Sequence, residues 1–252
     1  MSRNFMAIAL ASLLAVTACG RGGEDTGKPV ATRGTRKVDP ATAATIAGTV
    51  VFVGTPPQNP AINMGSDPAC GSEPVTSESI LVDNGGLRNV FISIKDDLGS
   101  QYAFDVPTEP VKLDQKGCHY TPHVVGLRAN QPLEVINSDN TLHNVHAMPE
   151  TNREFNQGQA MAGIKNTVTF ATPEVLIRFK CDVHSWMHAY IGVVDHPYFA
   201  VSGSGGKFEL KTVPPGTYTI EAVHEKLGRQ TQSITLGEKD AKTITFTFKP
   251  AV

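Results

Sequence analysis

The sequence has no long run of lysine and arginine: its 22 basic residues are set against 24 acidic ones, for a net charge of −2. Without a basic track there is nothing to follow a phosphate backbone, which excludes nucleic acid as a partner. It also lacks an apolar stretch that reaches the roughly 20 residues of a membrane-spanning helix, since Phe5 to Val16 is too short. There is no strict internal repeat and no window with the periodicity of a three-turn amphipathic helix; Glu150 to Ala162 holds at most a short irregular one. Cysteine is scarce, so each of the 4 thiols must be given a fate. What is present is 40% apolar residues with 23 Gly and 17 Pro, a mixture that favours many short strands and turns and places the chain in the all-β class. At 252 residues it has room for two compact units plus segments outside them.

Arg3 followed by the apolar run Phe5–Val16 reads as an export signal over residues 1–18. It ends in Val16-Thr17-Ala18-Cys19-Gly20, which resembles the lipobox of bacterial lipoproteins. That resemblance implies acylation of Cys19 and a lipid anchor, and Gly20 in place of an aspartate implies the outer membrane. The expected location is therefore the periplasmic side of the cell envelope. Residues 19–44 are rich in Gly, Thr, Pro and charge and form the lipidated cysteine's flexible tether.

From residue 45 the pattern changes to strand-length runs rich in Val, Ile, Thr and Phe and bounded by turn residues: 45–53, 88–95, 132–136, 166–171, 175–180 and 190–194. They predict an antiparallel sandwich over residues 45–197. A second rhythm, 207–211, 217–222, 230–236 and 242–248, predicts a small β module over 198–252. Its Gly206-x-Phe208-x-Leu210 and Pro214-Pro215-Gly216-Thr217-Tyr218 resemble the carboxypeptidase regulatory-like (transthyretin-like) β-sandwich, a packing module without chemistry of its own. Four strands are few for a sandwich. Ile46-Ala47-Gly48-Thr49-Val50 faintly resembles that family's first strand, which leaves the N-terminal part as a source of the others.

The chemistry concentrates in Phe179-Lys180-Cys181-Asp182-Val183-His184-Ser185-Trp186-Met187, directly after an apolar strand. A thiolate, an imidazole and a thioether in one loop suit copper, which cycles between Cu(I) and Cu(II) in a trigonal site with a weak axial sulfur. So compact a loop has no space for a second imidazole of its own. Asn137-Ser138-Asp139-Asn140-Thr141-Leu142-His143-Asn144-Val145 supplies one at the start of a strand.

Here the chain resembles the cupredoxins, the blue copper proteins, over roughly residues 110–195, with the short Cys-x2-His-x2-Met spacing of amicyanin rather than the longer one of plastocyanin. The resemblance implies a Greek-key β-sandwich holding one type 1 copper through His143, Cys181, His184 and Met187, with Asn144 bracing the thiolate loop. Residues 45–110 exceed what such a sandwich needs and read as added strands and a covering loop. With Cys19 acylated and Cys181 on the metal, Cys70 and Cys118 remain as the disulfide pair, whose loop of about 49 residues would stabilise by about 4 kcal/mol. The alternative is Cys118 as a second metal thiolate.

Four protein ligands leave no open position for a substrate, so the implied activity is outer-sphere electron transfer between redox protein partners, without turnover of a small molecule. His184 is expected to offer a partly exposed edge, with Trp186 in an apolar docking patch around it. His146, three residues past His143, falls on the opposite strand face. His188 is an alternative to the thioether, and His123 and His119 flank the disulfide. Three other functions compete: copper delivery using His146 and His188 as well, an enzyme with a second copper on His119, His123 or His224, and a structural or adhesion protein.

Overall fold

The computed structural model describes residues 34–71 and 75–250; the export signal, Cys19 and most of the tether lie outside the described residues. Among the described residues there is no helix long and apolar enough to cross a membrane. Helical structure there is confined to two 3₁₀ turns, Pro68–Cys70 and Ser204–Gly206.

The chain begins with β1 (Ala44–Phe52), β2 (Val82–Asp83), β3 (Gly86–Leu87) and β4 (Phe91–Ile94). It continues with β5 (Val111–Gln115), β6 (Tyr120–Thr121), β7 (Val124–Arg128), β8 (Leu133–Asn137), β9 (His143–Met148), β10 (Phe155–Gln159), β11 (Lys165–Val168), β12 (Glu174–Lys180) and β13 (His188–Val194). It ends with β14 (Phe199–Val201), β15 (Lys207–Val213), β16 (Gly216–His224), β17 (Gly228–Leu236) and β18 (Ala241–Phe248). The protein is all-β.

Four sheets enclose two main cores. The central sandwich has β10-β9-β12-β13-β7 on one side and β11-β8-β5-β6 on the other. Leu113, Leu133 and Val135 face Val145, Ile177, Phe179, Ala189 and Ile191 across its core. The second sandwich has β15-β1-β3-β2 with β18 added beside β1, packed on β14-β4-β16-β17. Ile46, Val50, Ile92, Ile220, Phe246 and Phe248 lie in its core. The alternation of β1 is strict, buried at every second residue, as a strand with one face in a core requires.

Strand pairing runs across the boundary expected at residue 197. β1 lies between β15 and the parallel β18, and β4 lies between β14 and β16. Four C-terminal strands cannot cover their own apolar face, so strands from the start of the fold complete the sandwich. The segment Glu150 to Ala162 is not helical: Phe155–Gln159 is a strand laddered on β9, where backbone pairing with a neighbour outweighs weak local preference.

The sandwiches meet at a third apolar cluster. Ile92 and Ile94 of β4 enter one core while Phe91 points the other way, which is why all four residues of this strand are buried. Phe91 and Phe199 stack with centroids 5.8 Å apart against β13 and β7 at Gly192 and Gly126, where there is no side chain. A Cβ on Gly192 would sit 2.3 Å from the fully buried Phe91 ring. Gly192→Ala is therefore expected to lower the unfolding free energy by about 1–3 kcal/mol through overpacking, read as a lower denaturant midpoint at unchanged slope.

Candidate metal centre

The first imidazole is set by a turn that Asn137 builds at the end of β8. Its side-chain amide donates to the carbonyls of Thr141 and Gln159, both at 2.9 Å, and its Oδ1 accepts from the Asp139 N–H at 2.8 Å. The chain re-enters a strand at His143, which is fully buried. Asp139 folds back beneath it: His143 Nε2 donates to Asp139 Oδ2 at 2.9 Å, and the same carboxylate accepts from the Gly117 and Cys118 amides at 2.7 and 2.8 Å. Burial alone would raise the Asp139 pKa, but these donors outweigh it and keep the carboxyl below its ordinary value. Burial lowers the pKa of His143, against the pull of Asp139, and favours the neutral ring.

The loop from Cys181 to Met187 closes on itself. The Met187 amide donates to the His184 carbonyl at 2.9 Å and the Cys181 amide to the Met187 carbonyl at 3.2 Å. Cys181 is the only free cysteine among the described residues, and its Sγ accepts from the amides of Asn144 and His184, both at 3.4 Å. Asn144 clamps the loop a second time: the Asp182 amide donates to its Oδ1, and its Nδ2 donates to Asp182 Oδ2 at 2.9 Å. The buried Tyr120 hydroxyl lies within hydrogen-bond reach of the Asn144 and Lys180 carbonyls and ties β9 to β12 beside the thiol.

Three donor atoms converge. His143 Nδ1 and His184 Nδ1 are 3.0 Å apart, Cys181 Sγ is 3.8 Å from His184 Nδ1, and the three lie within 4.8 Å of one another. His184 Nε2 donates to Asp67 Oδ2 at 2.9 Å, as His143 does to Asp139. A carboxylate at each Nε2 assigns the ring proton there and turns two Nδ1 lone pairs toward each other. Two lone pairs at 3.0 Å repel unless a cation lies between them, so the donor set fits a metal ion. Met187, 1% exposed, packs in the same apolar cluster as Cys181.

Other expectations meet mixed outcomes. Cys70 and Cys118 form a disulfide, so Cys118 is not a free thiolate. His184 does not offer the partly exposed edge expected of it: only 2% of it is accessible. Asp67, the cap of the Pro68–Cys70 turn, covers its Nε2, and Trp186 lies beside the ring with centroids 5.1 Å apart. Trp186 is half-buried and donates from Nε1 to the Cys118 carbonyl at 3.0 Å. His146 bridges Asp182 and Glu154 at 2.8 and 2.7 Å, away from the cluster. His123 and His188 gather around Glu225 instead. His119 contacts Gly117, and His224 Nδ1 accepts from the Lys226 and Leu227 amides.

The sequence reading missed both carboxylates. Asp139 lies four residues before His143 inside the quoted motif, so its pairing was findable. Asp67 is 117 residues from His184 and left no local signal.

No family model and no curated protein matches the chain. Among solved structures, 37% of the chain is similar to 24% of a Cu-containing nitrite reductase from Thermus scotoductus SA-01, at 19% identity and a TM-score of 0.33. A purple cupredoxin from Nitrosopumilus maritimus is similar over 32% of the chain and 97% of its own length, at 16% identity and a TM-score of 0.29. A reduced variant of amicyanin is similar over 35% of the chain and 86% of its own, at 19% identity and 0.30. The chain thus spans about a quarter of the nitrite reductase, and likenesses this partial carry no argument about its activity.

Proposed function

We propose that this chain is a copper protein that carries single electrons, with His143, Cys181, His184 and Met187 as ligands of one type 1 copper. The observation that supports it most is the convergence of a buried thiol and two imidazole Nδ1 atoms, each imidazole held from behind by a carboxylate. When bound, copper would supply a one-electron couple between Cu(I) and Cu(II). The protein's own residues do the rest. The amides of Asn144 and His184 stabilise charge on the Cys181 sulfur, Asp67 and Asp139 fix the rings, and the apolar cluster around Met187 excludes water. A preorganised, buried donor set needs little rearrangement when the charge on the metal changes.

With His184 covered, electrons would reach the centre through Trp186, whose half-buried ring leans on His184, or through the backbone that follows Cys181. Val183, exposed beside His184, and Leu142, exposed beside His143, are candidates for the apolar contact with redox protein partners. Acylation at Cys19 and the tether to residue 44 would confine that encounter to the periplasmic face of a membrane, the outer one by the residue that follows Cys19.

The test is reconstitution with copper. An intense visible absorption band is expected to saturate at one equivalent and to be bleached by one-electron reduction and restored by reoxidation. Absence of such a band at any copper loading would refute the reading. Rapid loss of copper to a chelator would favour a delivery role instead.

A further inference from the structure

A second cluster of metal-type donors lies outside the first, where the two sandwiches meet. His123 stands just before β7, His188 opens β13, and Glu225 sits in the turn between β16 and β17. Their ligand atoms lie within 4.8 Å of one another, with ring centroids of the two histidines 5.3 Å apart. His123 Nε2 is 2.5 Å from Glu225 Oε1, and His188 Nε2 is 4.0 Å from Glu225 Oε2.

Two features separate this cluster from an ordinary buried ion pair. The Glu225 side chain is 1% exposed and its carboxylate interacts with the Tyr190 hydroxyl, yet its Oε2 makes no hydrogen bond of ordinary geometry; the Lys226 ammonium at 3.9 Å and His188 Nε2 at 4.0 Å lie near it. His188 Nε2 is likewise buried without a hydrogen-bond partner. Its Nδ1 is 2.9 Å from the Trp186 carbonyl, which places the ring proton on Nδ1 and leaves a lone pair on Nε2. An imidazole lone pair and a carboxylate oxygen therefore face each other across 4.0 Å with no proton between them. Leaving two such groups unpaired in a buried site is costly, and a cation between them satisfies both.

We propose that His123, His188 and Glu225 form a second metal site, which takes a divalent ion of intermediate softness, zinc or copper(II), at the junction of the sandwiches. Two imidazoles and one carboxylate are the donor set that such ions accept. For His123 to ligate through Nε2 its ring proton must lie on Nδ1, which faces Glu78 Oε2 at 4.0 Å, so binding exchanges the hydrogen bond to Glu225 Oε1 for the metal and leaves the ring neutral. Three protein ligands leave a fourth position for water or an external ligand, which the first centre, with the four ligands proposed above, does not have. The site shares no ligand with the first and stands whether or not that one holds copper. Met187 and His188 are consecutive, so a single peptide unit would join the two metals.

The experiment counts zinc, and separately copper(II), bound per full-length chain after equilibrium dialysis. The wild type is expected to hold two zinc ions, and a His143→Ala/Cys181→Ser variant, with the first site removed, one. Adding Glu225→Gln or His188→Gln should lower each count by one, while the Gln variants made in the wild-type background keep the visible band of the copper-loaded first centre. That band also reports that the variants are folded. If neither ion binds to the His143→Ala/Cys181→Ser chain, or if both Gln substitutions leave the count unchanged, the second site does not exist.

Discussion

Replacing Cys181 by serine is expected to abolish the intense visible band of the copper-loaded protein and to weaken Cu(I) binding by more than about 100-fold. Loss of a single outer partner of a metal ligand already costs about 10- to 100-fold in affinity, and here the ligand itself is removed. Cys181 is the only free thiol among the described residues, so no other sulfur among them can supply a thiolate. Serine is nearly isosteric and can still accept from the Asn144 and His184 amides, so the fold and the two imidazoles should persist. Its hydroxyl does not ionise at neutral pH and is a hard donor that gives no low-energy charge transfer to copper. The measurement is an absorption spectrum beside a Cu(I) competition titration. A variant that keeps the band would place the thiolate ligand elsewhere.

The second large effect follows from the disulfide. A Cys70→Ala/Cys118→Ala variant should lose about 4 kcal/mol of unfolding free energy, since the bridge joins residues 48 apart in sequence. The consequences reach the centre as well. Cys70 ends the single turn that Asp67 caps, and Asp67 holds His184 from behind. Without the bridge, the side-chain hydrogen bonds that remain to hold the turn over the centre are those of Asp67, to Thr141 Oγ1 at 2.7 Å and to His184. Copper release to a chelator should then be faster than in the wild type, while reduction by a small reagent is accelerated.

This attachment has an acid limit. The hydrogen bond from Thr141, then those from the Ala69 amide and His184, hold the Asp67 pKa at about 2, below its unfolded value. A lowered folded pKa means that its contribution is complete above about pH 4 and fades as the pH falls toward 2. Chelator release measured across that window should speed up most steeply in the variant without the disulfide.

The strands with strong alternation or long apolar runs were legible in the sequence. Residues 45–53 appear as β1, 175–180 as β12 and 217–222 within β16. The strands that escaped notice are of two kinds. Some are two-residue pairings such as β2 and β3, too short to carry a period. Another, Phe155–Gln159, is largely polar because it lies at the exposed edge of its sheet. Partner choice was not legible: Thr45 pairs with Ala241, and no local pattern encodes a contact that distant. The same limit hid Asp67 and Glu225. The disulfide, by contrast, followed once the lipobox and cupredoxin resemblances had assigned Cys19 and Cys181, because the two remaining thiols leave one pairing.

The parallel ladder between β1 and β18 sets an order of events during biosynthesis. Among the described strands β1 is the first to leave the ribosome and β18 the last, so β1 waits for all the others before this parallel neighbour exists. The central sandwich, built wholly from β5 to β13, can close in the meantime. Until β18 has been made and any export is complete, the side of β1 that takes β18 stays unpaired, and that interval is when a holding chaperone would have most to do.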